Sequence, residues 1–247
     1  MNLNDLLIYI DDYARNEGVA PYIVGGAVRD SLLFPDNIPE DIDITTGDKK
    51  VYNLSYRLSK KFPGADFKIF DDSHTALHFD NFRIDFSNNF TSPQVQSAMN
   101  GASSLKIEMF SRDFTANALL MNLKRDTIYD VTEKGVEDIK SKILRCPINP
   151  NITFTDDPKR MLRAVKYSMR LGFVIEDKAV AAIRKNAQLV RGLPVNYVKN
   201  IVSEILDMDP EKAIEEMYNL NVLRHVPLTK KLTQVLTRNR DLARYFK

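Results

Sequence analysis

An apolar run, Tyr22-Ile23-Val24, breaks at Gly25-Gly26 and continues as a short helix-like segment over 27–33. A second strand-like run then carries Asp41-Ile42-Asp43. This pair of segments constrains the chain more than any other feature. A strand, a glycine turn and a helix in succession present backbone N–H groups to an anion. Side chains on a strand alternate, so Asp41 and Asp43 share one face while Ile42 and Ile44 share the other. Two carboxylates held in one orientation repel each other unless a cation lies between them. The pattern therefore predicts a phosphate cradle beside a divalent-metal site. A third carboxylate follows by parity. In Phe82-Arg83-Ile84-Asp85-Phe86, Asp85 lies opposite the apolar residues, so a neighbouring strand would set it beside Asp41 and Asp43. The alternative role for Asp85 is a simple ion pair with Arg83.

The rest of the composition narrows the class. The chain is 247 residues long, 44% hydrophobic and 28% charged, with a net charge of +2. That suits one large globular domain or two small ones, with no global polybasic character. Cys146 is the only cysteine, which excludes a disulfide framework within the chain and a Cys-rich zinc site. No apolar stretch reaches the roughly 20 residues needed to span a bilayer. The N-terminus has neither a basic region nor a long apolar core, so no signal peptide is expected. A cytoplasmic protein with no membrane partner is the resulting expectation.

Periodicity divides the chain in two. Helical patterns are expected at 3–17, 27–33 and 49–61, and at 91–110 in one or two pieces around Gly101. Strands are expected at 67–70, 75–79 and 82–87, with Asp80-Asn81 as a hairpin turn, and 112–121 and 127–131 close the region. The stretch 63–73 also reads as a mobile loop beside His74. Beyond about Pro147 strand signals become rare, and helices are expected at 157–171, 178–190, 196–208 and 210–220. The boundary falls near 146–152, where Cys146-Pro147-Ile148-Asn149-Pro150 continues neither element. The expected architecture is α+β: a mixed-sheet head over 1–147 and an all-helical domain over 148–247.

Taken together, the motifs resemble the class II tRNA nucleotidyltransferase and bacterial poly(A) polymerase family. Gly25-Gly26-Ala27-Val28-Arg29-Asp30-Ser31-Leu32-Leu33 followed by Asp41-Ile42-Asp43-Ile44-Thr45 is similar to its first motif. Arg112-Asp113-Phe114-Thr115-Ala116-Asn117-Ala118 resembles the second. Tyr129-Asp130, Gly135-Val136-Glu137-Asp138-Ile139 and Ile143-Leu144-Arg145 resemble the third. Asp156-Asp157-Pro158-Lys159-Arg160-Met161-Leu162-Arg163-Ala164 looks like the fourth, and 197–206 is a weaker match to the fifth. The motifs occur in family order.

The resemblance implies a nucleotidyltransferase-like head followed by a shortened helical neck and body. It implies Mg²⁺ held by Asp41 and Asp43, with Asp85 as the third catalytic carboxylate. Gly25, Gly26, Arg29, Arg112, Asp113 and Asn117 would bind nucleotide. Asp157 and Arg160, read as neighbours three apart on one helix, would match the edge of the incoming base, with Arg163 and Lys166 along the same stripe. The expected substrates are CTP, ATP and tRNA 3′ ends, with poly(A) synthesis as the close alternative. A small-molecule or toxin-type nucleotidyltransferase and a non-catalytic RNA-binding descendant are the more distant readings. Departures from the family pattern are Phe34 for glycine, Ser111 for the first of two arginines, Phe90 and Lys166 for arginines, and a short C-terminal half. Lys230, Lys231, Arg238, Arg240, Arg244 and Lys247, with Asp241 the only acid among them, read as a basic tail able to meet RNA phosphates. Homodimerisation is a second way so short a chain could hold tRNA.

Overall fold

The structure, a computed structural model, describes residues 2–36, 39, 41–71, 74–88, 92–238 and 245. They form two compact units, 1–139 and 140–247.

The first unit opens with α1 (Leu3–Asn16), whose Leu3, Leu6, Leu7, Ile10 and Ala14 are buried. The Asn2 side chain caps it by accepting the Asp5 N–H at 2.9 Å. There follow β1 (Tyr22–Val24), α2 (Gly26–Leu33), β2 (Asp41–Thr45), α3 (Lys50–Lys61), β3 (Asp66–Ile69), β4 (His74–His78) and β5 (Arg83–Ser87). Next come α4 (Pro93–Ala98), α5 (Ser104–Phe110), β6 (Leu119–Met121), β7 (Ile128–Asp130) and α6 (Gly135–Ser141). The seven strands form one sheet in the order β3-β4-β5-β2-β1-β6-β7. Only β2 and β5 run parallel; every other neighbouring pair is antiparallel. The parallel pair sits mid-sheet, with Ile42, Ile44, Ile84 and Phe86 buried on one face. The 63–73 stretch is not a loop throughout. Residues 66–69 are β3, paired with β4 along its whole length, because Phe67 and Ile69 alternate as a strand requires. Asp72 and Ser73 lie outside the described residues.

The second unit carries β8 (Ile143–Leu144), α7 (Pro150–Asp156), α8 (Lys159–Leu171), β9 (Val174–Ile175), α9 (Asp177–Asn186), α10 (Val195–Met208), α11 (Pro210–Asn219) and α12 (Lys230–Arg238). It is helical apart from a two-residue parallel ladder between β8 and β9. That ladder is too short to leave a period-2 signature in the sequence. Of the basic tail, Lys230, Lys231 and Arg238 fall on α12; Arg240, Asp241, Arg244 and Lys247 lie outside the described residues. Lys231 is engaged in an ion pair with Asp207.

The third sequence motif has a structural explanation within the first unit. Thr115 Oγ1 donates to Asp138 Oδ2 at 2.6 Å, and Asp130 Oδ2 accepts the Val136 N–H at 2.9 Å. The first bond draws α6 against the segment that carries the second motif, and the second ties the start of α6 to the end of β7. The approach is close: a Cβ on Gly135 would lie 2.6 Å from the Thr115 carbonyl oxygen and 2.8 Å from Leu119 Cδ2. Gly135→Ala is therefore expected to destabilise the protein by about 1–3 kcal/mol through overpacking. Gly64→Ala, where nothing lies within 4 Å of the added carbon, should change stability by less than about 0.5 kcal/mol. Urea denaturation of the two variants checks the contrast.

Candidate active site

The site in the first unit is built where β1 and β2 meet the start of α2. Gly25 has φ +75°, a left-handed conformation open to glycine at little cost, and it lets the chain leave β1 and enter α2 in one residue. A Cβ at Gly25 would lie 3.2 Å from Arg112 Nη1 and 3.3 Å from Asp43 Oδ2. The second-motif arginine and a β2 carboxylate thus converge on the glycine turn.

Asp41 and Asp43 are exposed on β2 while Ile42 and Ile44 are buried beneath them, as alternation requires. Asp43 pairs in register with Asp85 across the parallel β2–β5 ladder, and Asp41 pairs with Arg83. Registered neighbours share a face, so the three carboxylates sit on one side of the sheet. The Asp43 carboxyl is open to solvent at its mouth yet recessed among protein atoms. Loss of surrounding water raises its pKa above the ordinary carboxylate value, and the negative charge of Asp85 adds to this; Arg112, His74 and Arg83 oppose it.

Asp85 has the position that parity predicts and also the ion pair with Arg83. It stands beside Asp43, and it is gripped by Arg83, Nε to Oδ2 at 2.5 Å and Nη2 to Oδ1 at 2.7 Å. The His74 ring nitrogen Nε2 lies 2.8 Å from the same Oδ1. Both oxygens of Asp85 are thereby engaged within the protein, whereas Asp41 and Asp43 face outward.

Arg29 is placed differently from an open phosphate ligand. It is 3% exposed, and its guanidinium bonds Asp30 and, through Nη1, Asn117 Oδ1 at 2.7 Å. Asn117 Nδ2 in turn donates to Asp113 Oδ1 at 2.9 Å, and that oxygen also accepts the Phe114 N–H at 2.8 Å. Arg29, Asp30, Asn117 and Asp113 form one connected network that joins α2 to the 115–117 turn. Asp30 belongs to this network and does not sit in the first turn of α2, which begins at Gly26. Ser111 stands where the family pattern has an arginine. It is fully buried, with Oγ donating to the Ile107 carbonyl and accepting the Ser92 N–H.

In the second unit Asp157 and Arg160 come together, but not along one helix. Helix α8 starts at Lys159, and Asp157 is extended (φ −137°) between α7 and α8. Pro158 accounts for this, since the residue before a proline is pushed out of the helical region. Asp157 Oδ1 accepts the Lys159 N–H at 3.0 Å and so helps start the helix. Asp157 Oδ2 lies 3.9 Å from Arg160 Nε, Asp156 Oδ2 lies 4.0 Å from Arg160 Nη1, and that Nη1 reaches the Thr153 carbonyl at 3.4 Å. Arg160 is 8% exposed. Arg163 bonds Tyr167 Oη at 3.2 Å, and Lys166 reaches across to Glu204 of α10 at 2.5 Å.

Comparison with known proteins identifies the family of the chain. A family model described as the poly(A) polymerase head domain matches residues 21–145, just over half of the chain. The chain belongs to the poly(A) polymerase head-domain family. A CCA-adding enzyme of Ligilactobacillus salivarius is 28% identical over 221 residues, covering 87% of this chain and 52% of that enzyme. Poly(A) polymerase I of Haemophilus influenzae is 29% identical over 190 residues, covering 73% of this chain and 41% of that enzyme. The Thermotoga maritima CCA-adding enzyme, solved with tRNA, superposes with a TM-score of 0.75 at 22% identity, over 98% of this chain and 58% of that one. That likeness shows the fold: an α+β nucleotidyltransferase-type head with a helical second unit. The chain spans about half the length of the curated relatives it matches.

Members of this family generally use a divalent metal ion. Among the described residues no group of three or more His, Cys, Asp or Glu side chains is arranged to hold one. Two outward carboxylates, Asp41 and Asp43, are nonetheless a donor set that a divalent cation can use while completing its shell with water and phosphate oxygens. Asp85 is committed to Arg83 and His74, which leaves Asp41 and Asp43 as the carboxylates that face outward. No helix among the described residues is long and apolar enough to cross a membrane.

Reading motifs one at a time missed Glu108. It is fully buried and accepts hydrogen bonds from Thr45 Oγ1 (2.7 Å) of the first motif and Arg112 Nη2 (3.1 Å) of the second. The available signal was its i,i+4 spacing to Arg112.

Proposed function

We propose that the protein is a Mg²⁺-dependent, template-independent RNA nucleotidyltransferase that adds C, A or both to tRNA 3′ ends from CTP and ATP. The observation that carries the reading is the placement of Asp41 and Asp43 on one open face beside the Gly25 turn, with Arg112 converging on the same turn. Asp41 and Asp43 would hold Mg²⁺, which when bound supplies activation of the attacking 3′-hydroxyl and charge neutralisation of the triphosphate. The chain itself contributes positioning. The Gly25-Gly26 turn and the first N–H groups of α2 offer donors to phosphate oxygens. Arg112 adds a fixed positive charge at that turn, and the Arg29–Asn117–Asp113 network keeps the adjoining wall in place. His74 and Arg83 hold Asp85 so that it fills the face beside Asp43. In the second unit, Asp157 and Arg160 offer an acceptor and a donor fork suited to the edge of a nucleobase.

The resemblance to CCA-adding enzymes supports tRNA as substrate, and the Haemophilus influenzae relative keeps poly(A) synthesis as the second reading. Incubation with tRNA ending before CCA, labelled CTP and ATP, and Mg²⁺ should extend the tRNA, and sequencing the products separates CC, A, CCA and poly(A). Absence of incorporation into any RNA would overturn both readings. Binding should also be visible without turnover. CTP or ATP with Mg²⁺, at about a hundredfold excess over Kd, is expected to stabilise the folded protein by about 2.7 kcal/mol. A thermal-shift titration measures it. The proposed location is the cytoplasm, where such substrates reside.

A further inference from the structure

We propose that Glu108 is the positioning residue for Arg112, holding its guanidinium at the Gly25 turn and so setting the affinity of the site for the nucleoside triphosphate. The inference rests on the nucleotidyltransferase reading of the site and extends it to a residue outside the motifs. Glu108 is 0% exposed, a rare situation for a carboxylate unless it is fully partnered. Its two oxygens have separate duties. Oε2 accepts the Thr45 hydroxyl hydrogen at 2.7 Å, and Oε1 accepts from Arg112 Nη2 at 3.1 Å. Thr45 is anchored in turn, because its Oγ1 accepts the Gly47 N–H at 2.9 Å. Thr45 belongs to β2, the strand that carries Asp41 and Asp43. The chain Gly47–Thr45–Glu108–Arg112 therefore ties the arginine to the same strand as the acidic pair. Its other terminal nitrogen, Nη1, lies at the turn, 3.2 Å from where a Gly25 Cβ would stand.

Burial raises the Glu108 carboxyl above its ordinary value, while Arg112, through its charge and hydrogen bond, and the Thr45 hydroxyl act in the opposite sense. Were stability alone at stake, a buried apolar pair would serve as well, since a buried ion pair has no general advantage over well-packed hydrophobic residues. What a buried carboxylate adds is a fixed direction for the arginine fork.

The test is calorimetric binding of ATP in Mg²⁺ buffer to the full chain, with incorporation into tRNA measured separately. Glu108→Gln keeps the shape and can still accept from Arg112, but removes the charge. It should weaken ATP binding about ten- to a hundredfold, as loss of supporting-shell contacts typically does, while leaving the melting temperature close to wild type. Arg112→Ala should weaken binding at least as much, and the double variant should be no weaker than Arg112→Ala, because Glu108 acts through the arginine. Thr45→Val, which leaves the carboxylate in place with one anchor fewer, should give a smaller loss of a few-fold and provides a folded comparison should Glu108→Gln melt early. Unchanged ATP affinity in Glu108→Gln and Thr45→Val, or a double variant whose losses simply multiply, overturns the assignment. Wild-type ATP binding that depends on Glu108 and Arg112 without any incorporation would leave the assignment standing and overturn the polymerase reading. No ATP binding by the wild type would overturn both.

Discussion

Replacing Asp41 and Asp43 together with alanine should lower nucleotide incorporation by about 10³-fold or more, since charge stabilisation of this kind is commonly the largest part of a phosphoryl-transfer enzyme's advantage. The variant should nevertheless fold. Both side chains are exposed, and the residues that hold β2 in the sheet are Ile42 and Ile44 beneath them. The single substitution Asp43→Asn makes a sharper case. Crowding raises the Asp43 carboxyl above its ordinary pKa in the metal-free protein. A group whose folded-state pKa is raised favours folding below its unfolded value, near 4, and that contribution is lost as pH rises through the folded value. Wherever Asp43 is ionised it is thus a burden on the fold, and Asp43→Asn should raise the melting temperature in a metal-free buffer while removing activity. The gain of the variant over wild type should shrink toward acid pH, where Asp43 carries its own proton. Added Mg²⁺ should stabilise wild type and leave the variant almost unmoved. Melting curves across pH, with and without Mg²⁺, check all three statements. A variant less stable than wild type without metal would mean that Asp43 is not a carboxylate held against its own charge.

Much of this site is legible in the sequence because it depends on short-range rules. Alternation on β2 puts Asp41 and Asp43 on one face whatever the rest of the chain does, and parity alone puts Asp85 on the face opposite Ile84 and Phe86. The break at Gly25-Gly26 marks the turn for the same local reason. Other features depend on which distant segments meet, and no periodicity reports that. The parallel register of Asp43 with Asp85 is set by the crossover from β2 to β5, with two further strands between them in sequence. Arg29 looks like a phosphate ligand by position, yet Asn117 reaches it from a turn far along the chain and the pair closes over a buried guanidinium. Glu108 carries no motif at all, and its meaning appears only once Thr45 and Arg112 close on it. Helix ends are a third class. Asp157 and Arg160 have helical spacing, but Pro158 delays the start of α8 to Lys159, two residues after Asp157, and the pair meets across a helix start.

That helix start gives the second large effect. Asp157 has two separable duties: Oδ1 accepts the Lys159 N–H, and Oδ2 faces Arg160. Asp157→Asn retains an oxygen for the Lys159 N–H and turns the other position from an acceptor into a donor. The protein should fold as before, while the choice among the four nucleoside triphosphates should shift. A bidentate side-chain match to a base edge is worth about 1–3 kcal/mol of discrimination, so the ratio of kcat/KM for preferred over rejected bases should change by roughly ten- to a hundredfold. Arg160→Ala should alter the same ratio and also lower stability, because the guanidinium is buried against Asp156, Asp157 and the Thr153 carbonyl and its loss leaves those acceptors unmatched. Steady-state incorporation with CTP, ATP, GTP and UTP, beside urea denaturation, separates the two effects. If Asp157→Asn keeps the wild-type order and ratios among the four nucleotides, the pair serves only to start and brace α8. Base choice would then have to be assigned to other residues of the chain, with Arg163 and its partner Tyr167 the next to be substituted.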